Sequence, residues 1–337
     1  MTAAGDAPDF ASPSRNISAF FAAAQQAGLI VILRAGPYIC GEHDFGGFPA
    51  SLLTTPGIAL RTNETGYLAA VDAWWAELFT RVAPWLYEAG GPITSVQIEN
   101  EFGSYGNTGG NASDLAYMQH LKSVALQHLG SSVLLFTTDG GDAGYLSHGA
   151  VPGIFATGDF GPTLSPGVNF AAQDAFNPPG LRAHIDSEFY PGWLTHWGEQ
   201  MANTSVLSAA AGATAILALG GSLNLYMAYG GTNWGFYNGA NGGGSAFQPV
   251  ITSYDYDAPI EGLKVLDKYT ISFKLREPDY NFIYFFTLPH VVPVAREAIE
   301  GYANDTMAHP VGTGPYILKQ WVRRSKIVLE KNPNYRG

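Results

Sequence analysis

The sequence predicts an α/β fold with a parallel sheet, in the manner of a (β/α)8 barrel, over most of its 337 residues. Short apolar runs of strand length alternate with longer stretches of helical periodicity, and a polar, glycine-rich or aromatic loop follows each apolar run. The runs are apolar throughout, which indicates strands covered by helices on both faces. A doubly wound open sheet is the alternative, but no Gly-x-Gly-x-x-Gly turn follows the first strand.

The predicted elements follow one another in a regular order. The first helix stops at Gly28, because glycine commonly ends helices, and the second helix has Trp75 and Phe79 among its apolar positions. Helices are predicted at Ile17–Ala27, Tyr67–Leu86, Ser113–Leu129 and Gly192–Leu219. Six strands are predicted at Leu29–Leu33, Ile93–Ile98, Val133–Phe136, Gly153–Ala156, Ala183–Ile185 and Leu223–Ala228. In a barrel of this kind, chemistry is expected on the loops after the strands.

The composition changes abruptly near residue 262. Residues 1–262 hold 6 basic and 21 acidic residues, a net charge of −15, whereas residues 263–337 hold 11 and 7, a net charge of +4. Glycine divides in the same way, with 37 in the first part and 4 in the second. We therefore predict one domain over residues 1–262 and another over residues 263–337. The total charge of −11 argues against nucleic-acid binding, and a single cysteine excludes a disulfide framework.

No segment of the sequence predicts a membrane span. The most apolar stretch, Val206–Leu219, has 14 residues, and a spanning helix needs roughly 20. We interpret it as a buried helix that leads into a buried strand. Residues 1–10 lack the basic and apolar regions of a secretory signal, so no signal peptide is expected in this chain.

Two predicted strand ends carry paired carboxylates. Glu99 and Glu101 follow the second strand, and Asp186 and Glu188 follow the fifth. The members of each pair are two positions apart, so they share one face of a strand. A charge where an apolar strand meets a loop is costly to bury unless it has a partner or a role. Two carboxyl groups from different strands can divide the roles of acid and nucleophile, as glycoside hydrolysis requires.

Structural ion pairs and a metal site are the alternatives for these acids. Residues 1–262 contain only 6 Lys and Arg, too few to neutralise most carboxylates, which favours a functional role. His184, Asp186 and Glu188 could ligate a metal from one strand face, but no His-Glu-x-x-His or similar spacing supports this.

Aromatic residues crowd around the last two predicted strand ends. They are Phe189, Tyr190, Trp193, Trp197, Trp234, Phe236, Tyr237, Tyr254 and Tyr256. Rings of this kind stack on the apolar faces of sugars, although a plain aromatic core is the alternative.

Five sequence segments form a distinctive ordered set. They are VILRAGPYICGEHDFGG (31–47), VQIENEFGSY (96–105), DSEFYPGWLTHWG (186–198), NLYMAYGGTNWGFYNGAN (224–241) and TSYDYDAP (252–259). This set resembles glycoside hydrolase family 35, the β-galactosidases, over residues 9–259. The resemblance implies a TIM barrel that hydrolyses terminal β-D-galactosyl residues with retention, without metal or cofactor. It also implies a parent enzyme that is secreted, vacuolar or lysosomal.

The resemblance assigns roles to individual residues of this sequence. Glu101 matches the acid/base after the fourth barrel strand, and Glu188 matches the nucleophile after the seventh. The implied sugar-binding positions are Tyr38, Cys40, Gly41, Glu42, Asn100 and Tyr256. The expected partner is therefore a β-galactoside substrate.

The first two strands of the family's barrel have no counterpart in this sequence. The six predicted strands correspond to strands three to eight, so the sequence predicts an incomplete TIM barrel. An unclosed barrel has two open edges and a bare side of its core. We therefore expect the chain alone to fold poorly and to lack useful β-galactosidase activity.

The tail carries a second resemblance. KVLDKYTISFKL (264–275), PVGTG (310–314) and IVLEKNPNY (327–335) are similar to parts of bacterial oligopeptide-type (family 5) solute-binding proteins of ABC transporters. The resemblance covers residues 263–337 and implies a small α+β fragment without a complete binding cleft. We interpret the join near residues 259–263 as two fragments of different origin brought together. A peptide-binding transport component and a non-catalytic galactoside binder are the alternative functions.

Overall fold

A computed structural model of the protein describes residues 8–180, 183–202, 204–227, 238–242, 247–252, 260–267, 270–275, 300–302, 315–322 and 326–335. The chain divides into two compact units, residues 1–256 and residues 257–337. Among the residues described, every helix is too short or too polar to cross a membrane.

The first unit is built on a parallel sheet of six strands. In chain order, the strands of this unit begin with β1 (Val31–Arg34), β2 (Ile93–Gln97), β3 (Leu134–Gly140), β4 (Phe155–Phe160), β5 (Ile185–Phe189), β6 (Thr195–His196) and β7 (Ser222–Leu225). The sheet has the order β1-β2-β3-β4-β5-β7, and each strand runs parallel to the next. The sheet curls as a half-barrel, which confirms the predicted α/β class and the incomplete TIM barrel.

Helices connect the strands of the sheet. They are α1 (Ile17–Gln26), α2 (Thr65–Val82), α3 (Ala112–Leu129), α4 (Ala143–Gly149), α5 (Gly167–Phe176) and α6 (Val206–Ala218). The sequence did not predict α4 and α5; the 7 residues of α4 give too few turns for a clear apolar period. The predicted helix over 192–219 is wrong in its first half. There β6 pairs with a later strand, and Ser205 caps α6 by accepting a hydrogen bond from the Ser208 amide.

The helices α2 and α3 carry most of the core on their side of the sheet. The Glu64 carboxylate caps α2 by accepting from the Gly66 and Tyr67 amides at 2.7 and 2.8 Å, and Asn111 caps α3. The buried face of α2 consists of Tyr67, Val71, Trp75, Leu78, Phe79 and Val82, spaced at helical intervals. Tyr117, Met118, Leu121, Ala125 and Leu129 form the facing side of α3. Each large apolar side chain buried in this way contributes roughly 1.5–3 kcal/mol.

Short antiparallel sheets account for the remaining strands. In the first unit, β6 pairs with β9 (Gln248–Thr252), which also pairs with β8 (Ala240–Asn241). In the second unit, β10 (Ile260–Asp267) pairs with β11 (Thr270–Leu275), and β12 (Tyr316–Val322) pairs with β13 (Lys326–Lys331).

Both outer strands of the six-stranded sheet are edges within the part of the chain that the structure describes. β1 pairs only with β2, and β7 pairs only with β5. Ile32 on β1 and Leu225 on β7 are large apolar side chains that are 47% and 56% exposed. Within the described residues, both edge strands therefore carry exposed apolar side chains.

Candidate active site

The candidate site lies where the carboxyl ends of the sheet strands meet. Arg34 ends β1, Asn100 and Glu101 lie just beyond β2, and Glu188 lies near the end of β5. Below them, a polar layer crosses the sheet: the Thr138 hydroxyl lies within 3.3 Å of the Gln97 side chain, and the Thr157 hydroxyl donates to Ser187 at 2.7 Å. These contacts fix the strands that support the site.

A strained turn presents Asn100 and Glu101. Glu99 and Glu101 have φ angles of 59° and 45°, in the left-handed region that non-glycine residues seldom occupy. The Glu99 amide donates to the Gly36 carbonyl at 2.8 Å, and the Glu101 amide donates to the Thr138 carbonyl at 2.9 Å. The turn is therefore held between β1 and β3, and such strain is common at active sites.

A chain of polar contacts connects the two candidate catalytic carboxylates. The Arg34 guanidinium donates to both the Glu188 carboxylate and the Asn100 side-chain oxygen. The Asn100 amide nitrogen in turn donates to Glu101 Oε2 at 3.3 Å. The Tyr190 hydroxyl donates to Glu188 Oε2 at 3.3 Å. The structure thus brings together Glu101, Glu188 and Asn100, three residues that the sequence singled out.

Glu188 is a buried carboxylate whose charge depends on Arg34. Burial raises the pKa of Glu188, the Arg34 charge lowers it, and the Glu101 charge raises it, with a net upward shift. Because the Glu101 charge contributes to this shift, the two carboxyl groups lie within electrostatic range of each other. Arg34 therefore supports the ionised form of Glu188, the form that a nucleophile requires.

The loop after β1 lines a cavity whose lining residues include neither Glu101 nor Glu188. Tyr38, Cys40 and Glu42 line a cavity of about 330 Å³, and Gly41 lies between two of them in the sequence. Burial raises the pKa of the Cys40 thiol, and so do the charges of Glu101, Glu42 and Glu188. The loop is therefore within electrostatic range of both candidate catalytic carboxylates. Tyr256, the remaining sugar-binding position from the sequence, lies outside the described residues.

Part of the predicted aromatic cluster borders the site. Tyr190 packs edge-on against Trp193 and Tyr226, with ring centres 5.1 and 6.1 Å apart. The Arg34 guanidinium carbon lies 5.5 Å from the centre of the Tyr226 ring. Other members of the cluster lie outside the described residues: Trp234, Phe236, Tyr237, Tyr254 and Tyr256.

Three aspartates are buried near the strand ends, each with one carboxylate oxygen that lacks a hydrogen-bond partner. They are Asp139, Asp159 and Asp186. Burial raises the pKa of all three, and that of Asp186 to about 8. Burial therefore favours the protonated form of these side chains, which avoids a cluster of buried negative charges.

His184 faces away from the acids with which it could have formed a metal site. Its Nε2 atom lies 3.0 Å from Asp174 Oδ1 on α5, and its ring stacks on Phe170 with the ring centres 4.7 Å apart. In the described part of the chain, no three His, Cys, Asp or Glu side chains are grouped as metal ligands.

Sequence reasoning did not identify two arginines that the structure places at the site, Arg34 and Arg61. Arg61 makes a buried ion pair with Glu99. A terminal nitrogen of the Arg61 side chain lies 2.7 Å from a carboxylate oxygen of Glu99. The sequence did offer one signal for Arg34. Because basic residues are scarce in this part of the chain, an arginine at the end of an apolar strand is an expected partner for nearby carboxylates. Which carboxylates they meet depends on strand pairing, which the local sequence does not specify.

Comparison with known proteins gives two family matches. Residues 4–276 match the model of "Glycosyl hydrolases family 35", and residues 224–337 match "Bacterial extracellular solute-binding proteins, family 5 Middle". The two matched ranges overlap over residues 224–276. Both resemblances seen in the sequence are thereby confirmed.

Individual relatives of the chain are plant and animal proteins. Beta-galactosidase 8 of Oryza sativa subsp. japonica is 49% identical over 250 residues, covering 73% of this chain and 36% of the relative. Beta-galactosidase 17 of Arabidopsis thaliana is 48% identical over 251 residues, covering 73% and 35%. Beta-galactosidase of Felis catus is 45% identical over 267 residues, covering 79% and 38%. The chain thus spans a little over a third of the length of these relatives.

Proposed function

The chain belongs to glycosyl hydrolases family 35, and from this membership we propose that its site is built to hydrolyse terminal non-reducing β-D-galactosyl residues. The observation that carries the proposal is the continuous contact chain from Glu188 through Arg34 and Asn100 to Glu101. The names of the relatives supply the sugar, since those proteins are β-galactosidases.

The proposed reaction is a double displacement. The Glu188 carboxylate attacks the anomeric carbon and forms an ester, while the bond to the leaving oxygen breaks and that oxygen takes the proton of Glu101. Glu101, now a carboxylate, removes a proton from water, and the water oxygen displaces Glu188 from the anomeric carbon. Two inversions leave the configuration unchanged. This mechanism requires carboxyl groups about 5–5.5 Å apart.

We propose that the remaining site positions hold the sugar. Asn100 binds the ring beside the acid, and Tyr38, Cys40, Gly41 and Glu42 contact it from the cavity after β1. Tyr256 supplies a further ring at the pocket. No metal or other cofactor takes part, because the two carboxyl groups supply both proton transfer and nucleophile. A secreted, vacuolar or lysosomal setting suits the buried acids, which favour the folded state at acidic pH.

This chain alone is proposed to have no useful turnover and to fold poorly. The six-stranded half-barrel leaves β1 and β7 unpaired on their outer sides within the described residues. Arg34 at the β1 edge is 29% exposed among the described residues, and we propose that without a neighbouring strand the carboxylates lack a closed, dry pocket.

The experiment measures both catalysis and binding. Hydrolysis of 4-nitrophenyl β-D-galactopyranoside is expected to stay at background for the chain and for Glu188→Gln. A cationic galactose-configured iminosugar, 1-deoxygalactonojirimycin, is expected to bind the folded fraction at least 10-fold more weakly in Glu188→Gln, by isothermal titration calorimetry.

Three outcomes would change this proposal. Hydrolysis that Glu188→Gln abolishes would overturn the claim of inactivity. Equal affinity for the iminosugar and neutral galactose would indicate a non-catalytic galactoside binder. Failure of the folded fraction to bind either ligand would contradict a galactoside site.

The tail supports a separate proposal. The change of charge near residue 262 favours a domain division at residues 1–262 and 263–337, and the solute-binding match over residues 224–337 includes the second of these. A peptide-binding transport component is the corresponding second function. Saturable binding of short peptides to the whole chain would support it, and lack of binding would leave galactoside hydrolysis as the proposed function.

A further inference from the structure

We propose that Arg61 and Glu99 are the positioning residues of the catalytic turn, and that they couple it to the cavity loop through Tyr38. This inference rests on the proposed function, since it concerns how Asn100 and Glu101 are aimed at the sugar. Arg61 lies between β1 and α2, in a segment that belongs to none of the five family-like motifs.

The Arg61–Glu99 pair holds the turn by its backbone. Arg61 donates from Nε and a terminal nitrogen to the two oxygens of Glu99, at 3.1 and 2.7 Å. A terminal nitrogen of Arg61 also donates to the Asn100 carbonyl at 2.7 Å, and the Asn100 amide donates to Glu99 Oε2 at 2.8 Å. Both backbone polar groups of Asn100 are therefore bound by this ion pair.

Glu99 has no capacity left for a substrate. Glu99 Oε1 accepts from Arg61 and from the Tyr117 hydroxyl, the latter at 2.7 Å, and Oε2 accepts from Arg61 and the Asn100 amide. Tyr117 is itself within 3.1 Å of the Tyr67 hydroxyl. The Glu99 side chain is 1% exposed, so its effect on chemistry must act through the residues that it holds.

The strain of the turn explains why such a device is required. Glu99 and Glu101 both occupy the left-handed region, at φ 59° and 45°. Strained backbone persists only where its surroundings over-determine it. The planar, bidentate fork of Arg61 supplies that constraint, because it fixes the direction as well as the distance of its partners.

Arg61 also connects the turn to the cavity loop. Its guanidinium carbon lies 3.9 Å from the centre of the Tyr38 ring and 4.4 Å from that of Tyr105. The guanidinium is therefore in cation–π contact with two rings that line the cavity. Movement of Tyr38 on ligand binding would be transmitted to the turn that carries Glu101.

The test compares Arg61→Lys with Arg81→Lys by amide hydrogen exchange. Arg61→Lys keeps the positive charge but loses the planar guanidinium group that can donate two parallel hydrogen bonds. Arg81→Lys makes the same change in an exposed ion pair with Glu77 on α2. We expect exchange of the Asn100 and Glu101 amides to become at least 10-fold faster in Arg61→Lys, with β4 unaffected. Tyr117→Phe, which removes one donor to Glu99, should show a smaller increase if Arg61→Lys fails to fold.

A second readout is the affinity for the iminosugar, corrected for the folded fraction. Arg61→Lys is expected to weaken binding at least 10-fold, and Arg81→Lys is expected to leave it unchanged. Faster exchange spread equally over the turn and β4 would overturn the inference, as would exchange at the wild-type rate. If the wild-type chain binds no iminosugar, the proposed function fails, while the exchange result still decides the role of Arg61.

Discussion

The individual residues at this site show how a chain with few basic side chains neutralises its buried carboxylates. Arg34 and Arg61 each serve carboxylates: Arg34 contacts Glu188, and Arg61 pairs with Glu99. Asp186 has no such partner among the described residues and is completely buried, so its ordinary form at neutral pH is the protonated acid. On β5, the carboxylate of Glu188 is thus paired with a cation, whereas the carboxyl group of Asp186, two positions away, is neutralised by a proton.

The raised pKa of Asp186 predicts a pH dependence of stability. Because burial raises its folded-state pKa to about 8, the folded protein keeps a proton that the unfolded chain releases above about pH 4. This linkage lowers stability as pH rises from about 4 to 8, by on the order of a few kcal/mol. Asp186→Asn should remove that part of the dependence. The difference in unfolding free energy between variant and wild type should therefore grow in favour of the variant towards pH 8.

Urea unfolding at pH 5 and pH 8 provides the measurement for Asp186. Asp9→Asn is a suitable control, because Asp9 is exposed and its hydrogen bonds to Ser12 lower its pKa, so its linkage has the opposite sign. A constant difference between wild type and Asp186→Asn at the two pH values would show that Asp186 is ionised in the folded state.

Single residues were also where sequence reasoning reached furthest. The i, i+2 spacing marked two pairs of acids at strand ends, the family resemblance then singled out Glu101 and Glu188, and the structure connects these two through Asn100 and Arg34. The spacing alone did not distinguish the roles of Glu99 and Asp186 from those of Glu101 and Glu188. Glu99 lies two positions from Glu101 as Asp186 does from Glu188, but only three-dimensional packing shows that Glu99 meets Arg61 and that Asp186 meets no cation.

At the scale of elements, the predicted strands that became β3, β4 and β5 ended too early. The apolar run near β4 predicted a strand over Gly153–Ala156, but β4 continues to Phe160, and β5 similarly continues to Phe189. The added residues include Thr157 and Ser187, whose hydroxyls bond to each other across the sheet. A run of apolar residues indicates a buried strand, but it does not detect buried polar residues that are hydrogen-bonded. The apolar pattern therefore fails at the ends of the strands that form the site.

Helices with a long apolar face were predicted more accurately than short ones. The long helices α2 and α3 were found because several turns repeat the same spacing, and their packing forms most of the core. Leu121 on α3 is fully buried in that core. We therefore expect Leu121→Ala to lower the free energy of unfolding by about 2–5 kcal/mol.

Leu207→Ala provides the matched control for the core. Leu207 is in α6 but is 82% exposed, so the same truncation should change stability by no more than about 0.5 kcal/mol. Urea denaturation followed by circular dichroism compares the two. Equal effects of the two substitutions would mean that α3 is not packed in the folded protein as described.

At the scale of the whole molecule, the order of strands carries more information than their number. Six strands in sequential parallel order, each joined to the next through a helix or loop, give the curled half-barrel. The sequence predicted this order because each apolar run is separated from the next by a crossover segment long enough for parallel pairing. The change of composition predicted a second domain, but its fold was predicted only through its family resemblance, because antiparallel hairpins such as β10–β11 and β12–β13 carry no comparable long-range signal.

The open edge at β1 predicts self-association. Ile32 shares a strand face with Arg34, the face turned towards the site, and it is 47% exposed. An apolar edge strand with unpaired backbone groups is a template for pairing with another chain, and an inward-pointing charge is a common protection against this. Ile32→Lys should therefore reduce concentration-dependent association. Leu164→Lys adds the same charge at a side chain that is 78% exposed in a loop, and it should leave association unchanged.

Analytical ultracentrifugation over a range of concentrations distinguishes an edge effect from a charge effect. If association proceeds through β1, only Ile32→Lys shifts the distribution towards monomer, since both variants move the net charge from −11 by one unit. An equal shift towards larger species in both variants would mean that general electrostatic repulsion controls association, because a net charge of smaller magnitude repels less. A monomeric wild type would mean that the β1 edge is covered in solution. In that case the bare side of the half-barrel would no longer explain a lack of turnover, and the explanation would have to lie in the carboxylates themselves.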